Sequence, residues 1–131
     1  MDVKEKLLEA ANLVKNNAYA KYSNYKVGAS IYSEKKQIYS SCNVENVSFP
    51  CGTCAEAGAI AAMIAGGDRV IKEILITSSG NELVYPCGAC LQRIAEFSDE
   101  TTQIHLANET QIVRTYQLKD LLPQQFSLKE F

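Results

Sequence analysis

Four of the five cysteines fall in two Cys-x-x-Cys pairs, "CGTC" at 51–54 and "CGAC" at 87–90, and Glu56 stands two residues beyond the first pair. Thiolates in such pairs bind zinc, either as a closed tetrahedral set of four or as three ligands that leave one position open for water. The closed set would use Cys51, Cys54, Cys87 and Cys90 and would make the metal structural. Two features point the other way. First, 32 residues separate Cys54 from Cys87, against the roughly 15–20 of a compact zinc ribbon. Second, Cys54 and Cys87 each stand at the expected start of a helix, where free N–H groups and partial positive charge favour thiolates. A triad of Cys54, Cys87 and Cys90 with water as the fourth partner suits that placement. Glu56, in the first helical turn, can then carry that water's proton to a substrate nitrogen and on to a leaving amine without being a ligand. The competing reading of Glu56 is a first-turn carboxylate favoured by the helix dipole alone.

The elements that must hold these residues are legible in outline. Asp2 caps a helix whose apolar positions Val3, Leu7, Ala10, Ala11 and Val14 recur at helical spacing, and paired asparagines at 16 and 17 stop it. "KVGASIYS" and "QIYSSCNV" read as a hairpin about the charged turn at Glu34–Lys36. A loop, "NVENVSFPCGT", feeds a helix over about 54–65 that Gly66 and Gly67 end. "VIKEILITSS" is a largely buried strand, a second helix runs over about 88–97, and "TQIHLAN" and "TQIVRTYQL" form two final strands. "LKDLL" is a short turn that Pro123 stops. The order α-β-β-α-β-α-β-β predicts an α/β fold, a three-layer sandwich with a mixed sheet of about five strands and helices on both faces. Strand order is not readable from it. The whole chain, 1–131, is expected to be one domain.

Bulk properties exclude several classes. A chain of 131 residues with 47% apolar and 21% charged residues buries a core without staples. Net charge is about −2 with no basic block, so no nucleic acid is expected as partner. No apolar run reaches the ~18 residues of a membrane span. No apolar leader follows Met1, and an odd number of cysteines, four of them in pairs, suits metal binding in a reducing cytoplasm. His105, the only histidine, lies in an expected strand between apolar neighbours and reads as a sheet residue, not a ligand.

Cys-x-Glu with a distant Pro-Cys-x-x-Cys is the signature of zinc deaminases acting on nucleobases. "YSNYKVGA", "CNVENVSFP", "CAE", "PCGAC" and "LLPQQF", in that order, span nearly the whole chain. In these segments the chain resembles the small homotetrameric cytidine deaminases. The resemblance implies hydrolytic deamination of cytidine and 2′-deoxycytidine, one zinc per chain on Cys54, Cys87 and Cys90, and Glu56 as proton carrier. It assigns Asn43 and Glu45 to the ribose hydroxyls and the backbone at Cys54–Ala55 to the pyrimidine's polar edge, with Ala55 small enough to admit the base. It implies that Tyr25, where the family usually has phenylalanine, stacks on the base. Phe49 holds a position where tyrosine is common, and Phe126 resembles an aromatic that reaches a neighbouring subunit's pocket. The resemblance makes the partner a small nucleoside and the assembly a homotetramer with shared sites. Cys51 sits where the family has a non-cysteine apolar residue, and Cys42 reads as a small buried hydrophobe. Two rivals stay open: a deaminase of a modified cytosine nucleoside such as blasticidin S, which the intact "NVEN" disfavours, and a zinc-stabilised binding module with four cysteine ligands.

The family usually carries arginine directly after the catalytic glutamate and again after the last cysteine; here those positions are Ala57 and Leu91. Three thiolates on Zn²⁺ leave a surplus negative charge that an arginine would offset. The candidates to replace it are the two helix N-termini and Arg93. The other reading of Arg93 is a solvated surface residue.

Overall fold

A computed structural model describes residues 1–128. The first helix, α1 (Val3–Lys15), begins at Asp2, whose carboxylate accepts from the Glu5 N–H, and ends at Asn16. The hairpin strands are β1 (Val27–Ser33) and β2 (Ile38–Cys42), joined through a turn in which Lys36 takes φ 63°. A single 3-10 turn over Phe49–Cys51 interrupts the following loop. Next come α2 (Ala55–Ala65), β3 (Ile71–Ser78), α3 (Gly88–Glu96), β4 (Ser98–Ala107), β5 (Ile112–Gln117) and a one-turn helix, α4 (Leu118–Leu121). The expected elements are all present. β4 starts four residues earlier than the apolar pattern suggests, because Ser98 pairs with Ile71 across a register shift.

The strand order is β2-β1-β3-β4-β5. β3 and β4 run parallel and every other neighbouring pair is antiparallel, so the sheet is mixed, as expected. The two-residue period of a strand sends alternate side chains to opposite faces. Ile74 and Ile76 of β3, with Ala29 and Ile31 of β1, therefore meet Ala59, Ile60 and Met63 of α2 and Ile94 of α3 in one core. Leu75 and Ala107 point the other way, against Leu7 and Ala11 of α1. Helices thus cover both faces and complete the three layers. α1 lies so close to β1 that a Cβ on Gly28 would stand 2.1 Å from the Ala11 carbonyl oxygen.

His105 is fully buried in β4, with Nε2 2.8 Å from Glu73 Oε1 and Nδ1 2.8 Å from Thr115 Oγ1. It is a sheet residue, as its neighbours predict. No helix among the described residues is long and apolar enough to cross a membrane.

Candidate active site

Cys54 and Cys87 are the N-cap residues of α2 and α3, and neither uses its side chain to cap its own helix. The two helix N-termini converge across 36 residues of sequence: Cys54 Sγ lies 2.7 Å from Sγ of Cys90, in the first turn of α3. Glu56, in the first turn of α2 and only 4% exposed, brings its carboxylate within 4.8 Å of both sulfurs. Cys54, Glu56 and Cys90 thereby form a group near enough to bind a metal ion. Cys87 stands outside that group but lines the same cavity, and its charge is felt at Cys90. Cys87 and Cys90, three apart at a helix start, share one face. Cys51 is exposed, does not line the cavity, and points its thiol at Ser48 Oγ, 3.5 Å away. The closed set of four cysteines is not assembled.

The electrostatics follow from these contacts. The Cys90 thiol, donating to Cys54, pulls the Cys54 thiol down to about 6, and the Ala57 N–H and the Arg93 guanidinium help against the opposing effect of burial. Cys90 is pushed up because it is the donor, is buried, and faces the charges of Glu56, Cys54 and Cys87. Burial raises the Glu56 carboxyl above the usual carboxylate range, and the Cys54 charge raises it further. Sulfur donors at two positive helix ends, one already favoured as thiolate, are a donor set suited to a soft dication such as zinc.

The group lies in the wall of a cavity of about 570 Å³, within the range of small-molecule sites. The loop after β2 forms much of the rim. Val44 and Thr53 exchange backbone hydrogen bonds of 2.9 and 2.8 Å, which closes that loop on itself and aims Cys54 inward. The Asn43 amide accepts from the Val27 N–H and donates to the Tyr25 carbonyl, both at 2.9 Å. Glu45 Oε1 accepts from the N–H groups of Tyr22 and Ser23, at 2.9 and 3.0 Å, and Ser23 Oγ donates to Oε2. The Ser23 hydroxyl and backbone hold this carboxyl below its ordinary range. Both side chains line the cavity, and both also brace the loop at 19–27 that forms its far wall. Ala55, with no exposed surface, and Phe49, 79% exposed, line it too.

Tyr25 and Phe126 stand outside this chain's own cavity, the latter as an aromatic expected at a neighbouring subunit's pocket. Tyr25 does not line the cavity: its hydroxyl donates to Ser78 Oγ at 3.1 Å and its ring lies beside Gly80. Val27, Val44 and Val84 are the aliphatic residues of the cavity lining. Phe126 is 71% exposed and lies outside the cavity; its carbonyl accepts from Gln92 Nε2 at 3.4 Å. Sequence reasoning missed Tyr22, Ser23, Val27, Val84 and Tyr85, which also line the cavity. Tyr85 had a signal, since it directly precedes "PCGAC"; the Ser23–Glu45 contact, across 22 residues, had none.

Comparison with known proteins agrees with this geometry. The family model described as the cytidine and deoxycytidylate deaminase zinc-binding region matches residues 1–106. A cytidine deaminase of Sporosarcina psychrophila is 35% identical over 130 residues, covering 99% of this chain and 95% of that protein. The crystal structure of a cytidine deaminase from Burkholderia pseudomallei superposes with TM-score 0.87 at 36% identity, covering 96% of this chain and 100% of that one. That of Mycobacterium tuberculosis superposes with TM-score 0.84 at 29% identity over 98% of this chain and 100% of that one. The chain belongs to the cytidine and deoxycytidylate deaminase zinc-binding family.

Proposed function

We propose that this chain hydrolyses cytidine and 2′-deoxycytidine to the uridine products and ammonia, with one zinc held by Cys54, Cys87 and Cys90. The observation that carries the reading is a buried carboxylate, Glu56, beside the Cys54 and Cys90 sulfurs in the wall of a nucleoside-sized cavity. Zinc bound by these thiolates supplies a water acidified toward neutrality and a Lewis acid. Glu56 takes the proton of the attacking water and delivers it to the pyrimidine ring nitrogen beside the amino group. It then takes the remaining proton from the new C4 hydroxyl and gives it to the amine as the C4–N bond breaks, so water and cytidine balance as uridine and ammonia. Its raised affinity for a proton, caused first by burial, suits a group that must both accept and release one near neutral pH. Asn43 retains an N–H and Glu45 an acceptor position for sugar hydroxyls after their bonds to the 19–27 loop, and Val27 and Phe49 flank the base.

The family embraces nucleoside and nucleotide substrates, and the lining of this cavity favours the nucleoside. Among the described residues no lysine or arginine side chain lines it, while Glu45 and Glu56 do, so a 5′-phosphate finds repulsion and no counterion there. The exposed apolar side chains of Phe49, Val47 and Phe126 call for cover, which supports a homotetramer whose subunits complete one another's sites. Five free cysteines suit the reducing cytoplasm. The test is ammonia release from cytidine, deoxycytidine, cytidine monophosphate, free cytosine, adenosine and blasticidin S. Turnover confined to the first two supports the reading; turnover of the monophosphate or of blasticidin S in their place overturns it.

A further inference from the structure

Arg93 is largely exposed, yet its guanidinium turns back onto the metal group. Nη1 lies 3.7 Å from Cys90 Sγ and 3.9 Å from Cys54 Sγ, so one nitrogen meets sulfurs carried by two different helices. Among the described residues the ion pairs are Lys15–Glu109, Lys72–Asp99 and Glu73–His105, and none of them uses Arg93. Although its charge also reaches Glu56, its nearest partners are the two sulfurs.

The helix dictates why position 93 does this. Leu91, next to Cys90, is only 8% exposed and belongs to the core beneath α3. Gln92 is turned toward the Phe126 carbonyl, and Ile94 is fully buried. The residue three beyond Cys90 lies directly over it on the helix surface, and a long side chain there reaches across to Cys54.

From this geometry we infer that Arg93 is a positioning residue for the metal, clamping the Cys54 and Cys90 sulfurs from outside and offsetting the surplus charge of three thiolates on a dication. The inference rests on the zinc reading above. Partners that hydrogen-bond to ligand atoms orient them and tune their donation, and losing one typically costs 10–100-fold in metal affinity or activity. Arg93→Gln stays polar, is shorter and removes the charge, and the exposure of position 93 leaves the fold free to form. The zinc-loaded full chain is challenged with a chromogenic chelator, and the cobalt-substituted protein is read by its sulfur-to-metal charge-transfer band. Arg93→Gln is expected to lower zinc affinity by about 10–100-fold and to move the band, whereas Arg93→Lys, which keeps the charge, recovers part of the affinity. A folded Arg93→Gln protein with wild-type affinity and band overturns the inference while leaving the zinc reading intact. A lysine variant indistinguishable from glutamine overturns the countercharge. A wild-type chain that binds no zinc overturns both the inference and the reading beneath it.

Discussion

Replacing Glu56 by Gln separates its possible duties, because the side chain keeps its size and loses only the ability to carry a proton. Glu56 is 4% exposed, and its carboxylate lies within 4.8 Å of the Cys54 and Cys90 sulfurs. Proximity alone suits a metal ligand as well as a proton carrier. The two roles differ in outcome. General acid–base groups contribute about 10²–10⁴-fold, or roughly 2.7–5.4 kcal/mol of barrier. Glu56 is asked to move a proton at two points in one turnover, so kcat should fall by about 10⁴-fold. Zinc should stay at one per chain, because the three thiolates remain. Stability should hold or rise: the buried carboxylate resists ionisation, and a neutral amide at the same place escapes that desolvation. The assay is the ultraviolet absorbance change on cytidine deamination, with zinc measured on the same sample and a urea titration beside it. Retention of a tenth of kcat in the zinc-loaded variant would refute the proton shuttle; loss of zinc would make Glu56 a ligand.

Alanine at Cys54, Cys87 or Cys90 should abolish stoichiometric zinc by metal analysis, and Cys51→Ala should retain it, since that thiol faces Ser48 and not the cavity. Gly28→Ala should lower the unfolding free energy from urea titration by at least the ~1–3 kcal/mol of ordinary overpacking, because the new methyl would meet a backbone carbonyl at 2.1 Å. His105 has its proton affinity lowered chiefly by burial, against the opposing pull of Glu73 and with a lesser contribution from Lys4. The unfolded chain therefore takes up that proton first, so stability is complete above an unfolded pKa of ~6.5 and declines as pH falls below it; His105→Gln should flatten that acid limb in denaturation curves.

Local chemistry made much of the protein legible without coordinates. Asp2 caps α1 as a short polar acceptor must, and Gly66 ends α2. The cysteines before α2 and α3 could be placed at helix starts because a helix's first N–H groups lack partners wherever that helix lies. These are effects of neighbours within about one turn, and a linear chain records them. The β-rich, only weakly alternating run of β3 likewise announced a largely buried strand, and Ile74, Leu75 and Ile76 are all buried.

Strand order, by contrast, depends on pairings between segments far apart, and no local period encodes which edges meet. The same holds within the site. Nothing in a sequence separates a Tyr25 that stacks on a base from one that bonds Ser78, because that hydroxyl partner lies 53 residues along the chain. The two duties of Glu45, lining the cavity and bracing Tyr22 and Ser23, arise only when the two loops come together. Arg93 is an ordinary charged residue in the sequence and could equally have faced solvent. Its approach to Cys54 required α2 and α3 to converge at their N-termini, and packing on a shared sheet face, a sum of many contacts over long separations, sets that convergence.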